Sequence, residues 1–254
     1  MTDRAFSDRL AELTLGLAAV RSRLADAADA AGRPVTEIQL LPITKFFPAR
    51  DVAILWRLGC RAFGESREQE ASAKIAEFDT LVATEANPVQ VSWHMVGQIQ
   101  RNKAKNIAAW ADTVHSVSTA RVVSALGGAA AESLANGCRQ GRLRVFVQIS
   151  LDGDTARGGV DIGDPAAVDL LCGQVADSSA LELVGLMAVP PLGADPDRAF
   201  ATLATEHRRV LISHPGATEL SAGMSGDLEA AVRHGSTCVR VGTALMGTRP
   251  LTSP

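Results

Sequence analysis

Leu40-Leu41-Pro42-Ile43-Thr44-Lys45-Phe46-Phe47-Pro48 is an apolar run broken by one cation. Pro48 stops the extended pattern, because proline lacks the N–H that a central strand donates. The run reads as a buried strand whose C-terminal end presents Lys45 to a pocket. Leu41, Ile43 and Lys45 share one face under the two-residue period of a strand. If Leu41 and Ile43 fill a closed sheet, Lys45 stands at its mouth. Burial lowers the pKa of a lysine, and a neutral amine is the nucleophile that forms a Schiff base. The plainer reading is a rim lysine that caps an apolar strand in water.

Outward from this run the apolar period switches repeatedly. Upstream, Phe6, Leu10, Leu13, Leu17, Val20 and Leu24 recur at steps of four and three, the stripe of a long amphipathic helix ending near Gly32-Arg33-Pro34. Downstream, Asp51 to Leu58 has helical spacing, closed by Gly59. Arg61 to Ser66 reads as a short strand entering a turn, and Ser66 to Phe78 as a polar-faced helix. Val91 to Gly97 is a strand, Ile99 to Trp110 a helix, and Thr113 to Val117 a strand. An Ala-rich helix spans Thr119 to Asn136, with Gly137 past its end. Leu143 to Leu151 is the clearest strand, and residues 152–164 form a long Gly/Asp loop. A helix from Pro165 to Asp177, a strand from Leu181 to Val189 and a helix from Asp195 to Ile212 follow, with Pro196 in the first turn. Thr218 to Ser221 and Thr237 to Val241 are the last strands. The helix Leu228 to His234 lies between them, and Gly242-Thr243 opens a final helical turn.

Strands and helices thus alternate about eight times over 254 residues, and no Pro/Gly/Ser linker divides the chain. This alternation predicts a parallel sheet. Eight such units in this length predict a closed α/β fold, a single (β/α)8 TIM barrel with an extra N-terminal helix, occupying residues 1–254 as one domain. An open doubly wound sheet competes, but no Gly-x-Gly-x-x-Gly follows the first strand. Hydrophobic residues form 46% of the chain, as in globular proteins. The net charge is −3, and no Lys/Arg run exceeds two residues, which argues against a nucleic-acid partner. No apolar stretch has membrane length, and Asp3, Arg4, Asp8 and Arg9 argue against a signal peptide. Cys60, Cys138, Cys172 and Cys238 contain no Cys-x-x-Cys pair and read as reduced thiols of a cytoplasmic protein.

A barrel of this kind carries its site at the C-terminal ends of its strands, and phosphate groups after the seventh and eighth. One of those loops holds Gly223, Ser225 and Gly226, and the other Gly242 and Thr243. Glycines let backbone N–H groups approach a phosphate, Ser225 adds a hydroxyl, and a helix N-terminus adds its dipole. Read plainly, Ser225 is a cap and Gly242 a turn residue. Arg240 lies between Val239 and Val241. With the valines under the helices it points into the barrel, where it needs Asp, Glu or a ligand heteroatom as acceptor. His94 and His115 sit on strands and are candidates to line the mouth, although a strand histidine also serves as a hydrogen-bonded core residue. Met187 closes the sixth strand and reads first as packing. Gln98, Gln100, Asn102 and Lys103 form a polar loop. Asp152, Asp154 and Asp161 lack EF-hand spacing and read as a polar turn.

Several segments, taken in order, carry a resemblance. They are Ile43-Thr44-Lys45, Phe63-Gly64-Glu65-Ser66-Arg67-Glu68-Gln69-Glu70, Trp93 to Lys103, His115-Ser116-Val117, Gly185-Leu186-Met187, Leu220 to Asp227, and Val239 to Gly247. With them the chain resembles the pyridoxal 5′-phosphate homeostasis protein family, single-domain relatives of the alanine racemase barrel. The resemblance implies pyridoxal 5′-phosphate held as a Schiff base on Lys45, its phosphate at Ser225, Gly242 and Thr243, and Arg240 at the pyridine nitrogen. Gly226, Met187, His94 and Ser66 complete the candidate cofactor contacts. The family usually has asparagine where this chain has Ser66, and commonly methionine where it has Ala222. The implied role is a carrier and buffer in intracellular vitamin B6 homeostasis without robust catalysis, handing cofactor to pyridoxal phosphate-dependent apo-enzymes. A monomer is expected over a dimer. The alternative is an amino-acid racemase. Alanine racemases pair their lysine with a tyrosine from a second domain, whereas this sequence has no tyrosine. A guanidinium cannot give up its proton to the ring nitrogen, which weakens the ring as an electron sink. A sugar-phosphate enzyme with an aldolase-type lysine is the third reading.

Overall fold

The computed structural model describes residues 3–83, 85 and 90–248. Strands β1 (Gln39–Pro42), β2 (Ala62–Glu65), β3 (Ser92–Met95), β4 (Thr113–Val117) and β5 (Leu143–Ser150) come first in the chain. β6 (Val160–Asp161), β7 (Leu181–Ala188), β8 (Glu219–Ser221) and β9 (Cys238–Val241) follow. Hydrogen-bonded neighbours run β1-β9-β8-β7-β5-β4-β3-β2, with every pairing parallel. A bridge between Ile43 and Gly64 joins the two ends of that order and closes an eight-stranded ring. β6 lies off the ring, against the end of β5. The family expected from the alternation is therefore the one built: a TIM barrel.

Helices α1 (Asp3–Ala30), α2 (Ala49–Arg57), α3 (Glu68–Val82), α4 (Ala104–Trp110) and α5 (Ala120–Ala135) pack outside the ring. So do α6 (Pro165–Ala176), α7 (Pro196–Ser213), α8 (Leu228–Arg233) and α9 (Thr243–Met246). The stripe Leu13, Leu17, Val20 and Leu24 of α1 is buried in one cluster with Val52 and Leu55 of α2 and Leu228 and Val232 of α8. Each fully buried residue of this kind contributes roughly 1.5–3 kcal/mol. A second cluster packs Val145, Val147 and Ile149 of β5 under Leu126, Leu171 and Phe200 of the helices. Val239 and Val241 face the helices as well, so the period-2 rule turns Cys238 and Arg240 inward. Leu41, Ile43, Ala62 and Cys238 fill one side of the ring, and Phe146, Val184 and Met187 the other. No helix among the described residues is long and apolar enough to cross a membrane.

Several boundaries differ from the sequence reading; the helix expected over Ser66 to Phe78, for example, runs from Glu68 to Val82. β1 stops at Pro42, and Lys45 lies three residues beyond it in a turn, because Phe46 takes φ 68° and breaks the extended run. The helix expected from Ile99 begins only at Ala104, after a 3-10 turn at Arg101–Lys103. Ile99 is buried in the core cluster beneath α4 and so mimics a helical position from within a loop. The Gly/Asp loop 152–164 contains β6 and a 3-10 turn, Thr155–Arg157, both too short to leave a periodic signal.

Candidate functional site

The turn that carries Lys45 is fixed from below. Lys74 of α3 pairs with Glu65 at 2.6 Å and donates from Nζ to the Thr44 carbonyl at 2.8 Å. The Thr44 hydroxyl donates to the same carboxylate at 2.6 Å. Glu65 and Thr44 are fully buried, and Lys74 nearly so. Burial pushes the Glu65 carboxyl above its ordinary range, against the pull of Lys74 and Thr44. Above this knot Lys45 is half-buried. Phe46 is the one described non-glycine residue with positive φ. Its ring has Lys45 Nζ at 6.0 Å and the Arg67 guanidinium at 5.3 Å from its centroid.

Beside this turn stand the two glycine loops. Gly242 is close enough to β1 that a Cβ there would lie 3.7 Å from Ile43 Cβ. Gly223 has φ 90°, and a Cβ would meet Ala231 Cβ at 2.6 Å, so only glycine makes this turn. The Asp227 side chain accepts from the Met224 N–H at 2.5 Å. From α1, Arg23 donates to the Ser225 carbonyl at 3.1 Å and pairs with Glu229 at 2.8 Å. The Ser225 hydroxyl accepts from the Ala244 N–H at 3.2 Å, which ties one glycine loop to the other. α8 has six residues and α9 four, so their dipoles are small and the loop N–H and hydroxyl groups are what can hold an anion.

Under the mouth Arg240 is 5% exposed. Its Nη1 donates to Ser221 Oγ at 2.6 Å and its Nη2 to the Ala188 carbonyl at 2.9 Å. Neither acceptor is charged, and among the described residues no carboxylate forms an ion pair with it. Burial pulls the Arg240 guanidinium below its ordinary value. Ser221 also meets His115 Nδ1 at 2.9 Å, and His115 Nε2 meets His94 Nδ1 at 2.9 Å. Burial lowers His94 to about 3 and holds His115 well below its ordinary value, so both imidazoles are neutral at pH 7.

The structure thus gathers Lys45, Gly242, Thr243, Ser225, Gly226 and Arg240 at one end of the ring. Met187 joins them from below, adjacent to the Ala188 carbonyl that Arg240 uses. His94 lies deeper, behind His115, and bonds to Ser92 Oγ at 3.1 Å near the start of its strand. Ser66 follows β2, whose Gly64 is bridged to Ile43 two residues before Lys45, and lines a cleft of about 230 Å³ with Arg67, Met95, Gln98 and Lys103. Its backbone is pressed against Gly97, where a Cβ would stand 2.0 Å from the Ser66 carbonyl oxygen. Asp152 and Asp154 are tied to Arg157. Sequence reasoning missed Ser221 and the Glu65–Lys74 pair. The signal for the pair was available: Lys74 falls on the buried stripe Ala71, Phe78 and Val82 of α3.

Comparison with known proteins agrees with this fold. The alanine racemase N-terminal domain family matches residues 16–250. The chain is 63% identical over 252 residues to the pyridoxal phosphate homeostasis protein of Mycobacterium tuberculosis, covering 98% of each. It is 33% identical over 241 residues to the Escherichia coli protein of the same name, covering 94% of this chain and 97% of that one. Among solved structures, PipY of Synechococcus elongatus with PLP bound superposes with TM-score 0.77 at 31% identity, covering 93% of this chain and all of that one. Alanine racemase from Corynebacterium glutamicum shares the fold, with TM-score 0.63 at 15% identity over 92% of this chain and 61% of that one.

Proposed function

We propose that this chain, which belongs to the pyridoxal phosphate homeostasis proteins within the alanine racemase N-terminal domain family, binds pyridoxal 5′-phosphate at the barrel mouth and carries it without robust catalysis. In this reading Lys45 holds the aldehyde as a Schiff base. Ser225, Gly226, Gly242 and Thr243 hold the phosphate, and Arg240 meets the pyridine nitrogen. The observation that carries it is the meeting of three unlike groups at one end of the ring: the Lys45 turn, the glycine loop at Gly242 beside Ile43, and a buried guanidinium whose partners are both neutral. An uncompensated buried cation is costly, and a ligand heteroatom is the acceptor that remains for it. When bound, the group supplies a reactive aldehyde and an electron-withdrawing ring. The protein's own residues hold it, screen it and set the charge at its nitrogen.

Arg240 also favours a carrier over a racemase. A guanidinium stays protonated, so it donates a hydrogen bond to a ring nitrogen without transferring a proton. The ring is then a poor electron sink, which favours storage and delivery over carbanion chemistry. The recipients are apo-enzymes that need the cofactor, and we place the protein in the cytoplasm as a monomer. Cys60, Cys172 and Cys238 are free and buried there as thiols.

The test is mass spectrometry after borohydride reduction of protein mixed with pyridoxal 5′-phosphate. One reduced cofactor on Lys45, absent in Lys45→Ala, is expected, together with a yellow wild type. A colourless wild type that takes up no cofactor would sink the reading. Racemisation of single-enantiomer amino acids at ordinary enzymatic rates, lost in Lys45→Ala, would favour the enzyme instead.

A further inference from the structure

We propose, on the cofactor reading above, that Ser221 and His115 are positioning residues for Arg240, the first links of a one-way hydrogen-bond chain through the barrel interior. Arginine only donates, so the chain has a fixed beginning. Arg240 Nη1 donates to Ser221 Oγ at 2.6 Å. Ser221 has a single proton and two neighbours to receive it, His115 Nδ1 at 2.9 Å and the Cys238 thiol. Sulfur is a weak acceptor, so the proton goes to the imidazole. His115 must then carry its own proton on Nε2, and donates it to His94 Nδ1 at 2.9 Å. His94 in turn is protonated on Nε2 and donates to Ser92 Oγ at 3.1 Å.

In this direction each bond has one donor and one acceptor, and neither imidazole carries a charge. The reverse direction would aim two donors at Ser221 Oγ and leave its proton to sulfur. The His115 ring is held in plane by stacking on Phe146, with centroids 4.5 Å apart. Ser221 and the Ala188 carbonyl therefore grip the guanidinium at two points and fix its plane, while nothing in the chain neutralises it. Its charge is left to be met from the mouth. Without Ser221 the guanidinium is held at one point and its orientation toward a ring nitrogen is lost.

Two measurements test this. In the wild-type protein without cofactor, ¹⁵N chemical shifts of the imidazoles should show both His94 and His115 as the Nε2–H tautomer. An Nδ1–H tautomer at His115 overturns the chain. Second, Ser221→Ala should weaken pyridoxal 5′-phosphate binding about tenfold, the loss expected for a hydrogen bond to a charged group, and shift the visible band of the bound cofactor. Ser221→Thr, which keeps the hydroxyl, should restore both. Wild-type affinity and spectrum in Ser221→Ala, or equal impairment in Ser221→Thr, overturns the positioning role. A wild type that binds no cofactor refutes the cofactor reading itself, and the tautomers then still judge the chain.

Discussion

Replacing Lys74 by Met should cost far more stability than its place on a polar-faced helix suggests. Methionine fills nearly the same volume, so packing is largely kept. What is lost is the 2.6 Å pair with Glu65 and the 2.8 Å bond to the Thr44 carbonyl. The Glu65 carboxylate, fully buried, is left with the Thr44 hydroxyl alone. Removing one partner of a buried pair typically costs about 3–5 kcal/mol. For a chain of this size that lowers the melting temperature by about 10 °C. Glu65 already has a raised pKa, and the substitution raises it further. The folded state then holds a proton that the unfolded state lacks, across the window from the ordinary value near 4.5 up to the raised one. Between the wild-type and the variant's raised values only the variant's folded state takes up the extra proton, so there the deficit shrinks as pH falls, by about 1.4 kcal/mol per unit. Urea denaturation at several pH values reads this directly. Adding Glu65→Leu should recover most of the loss, because the stranded charge is gone. A single variant costing under about 1 kcal/mol, or a double variant whose losses simply add, would refute the reasoning. Since Lys74 also holds the residue before Lys45, the single variant should take up less cofactor at a given concentration.

Acid should unfold the protein partly through the two histidines inside the barrel, His94 and His115. His94 is held at about 3 and His115 well below its ordinary value, while both take protons near 6.5 once unfolded. Their contribution is complete above that value and is lost as pH falls below it, by roughly 2 kcal/mol for His94 between pH 7 and 5, with His115 acting in the same direction. The pH slope of stability should therefore flatten in His94→Gln/His115→Gln, and an unchanged slope would refute this. Gly97→Ala should destabilise by about 1–3 kcal/mol, since its Cβ would stand 2.0 Å from the Ser66 carbonyl oxygen. Gly128→Ala, in α5 with open space around it, should instead stabilise by about 0.5–1 kcal/mol. The two denaturation midpoints must move in opposite directions.

The eightfold switching of apolar period is a local property repeated along the chain, and it was enough to read the ring. Arg240 was legible for a similar reason, because Val239 and Val241 claim the outer face and leave it only the inner one. Lys45 was legible as an anomaly, but its exact place was not. The strand ends at Pro42, and the positive φ of Phe46 is a tertiary compromise that no propensity encodes. Ser221 and Lys74 stayed hidden because their roles depend on partners 106 and nine residues away in sequence, His115 and Glu65. Each looks ordinary until the fold supplies the neighbour. His94 looked like a candidate for the mouth by its strand position, and the depth that separates it from the mouth appears only in three dimensions.

The ring is completed where Ile43 meets Gly64, and Lys45 lies two residues past that junction. Lysine, both glycine loops and Arg240 all ride on the contiguous strip β1-β9-β8. The cleft with Ser66 follows β2 and β3, the neighbouring strands across that junction. The Lys45 turn is nevertheless tied across that junction, because Glu65 and Lys74 hold Thr44 from the β2 side. Any opening of the ring at that junction would therefore loosen the lysine before it loosened either glycine loop.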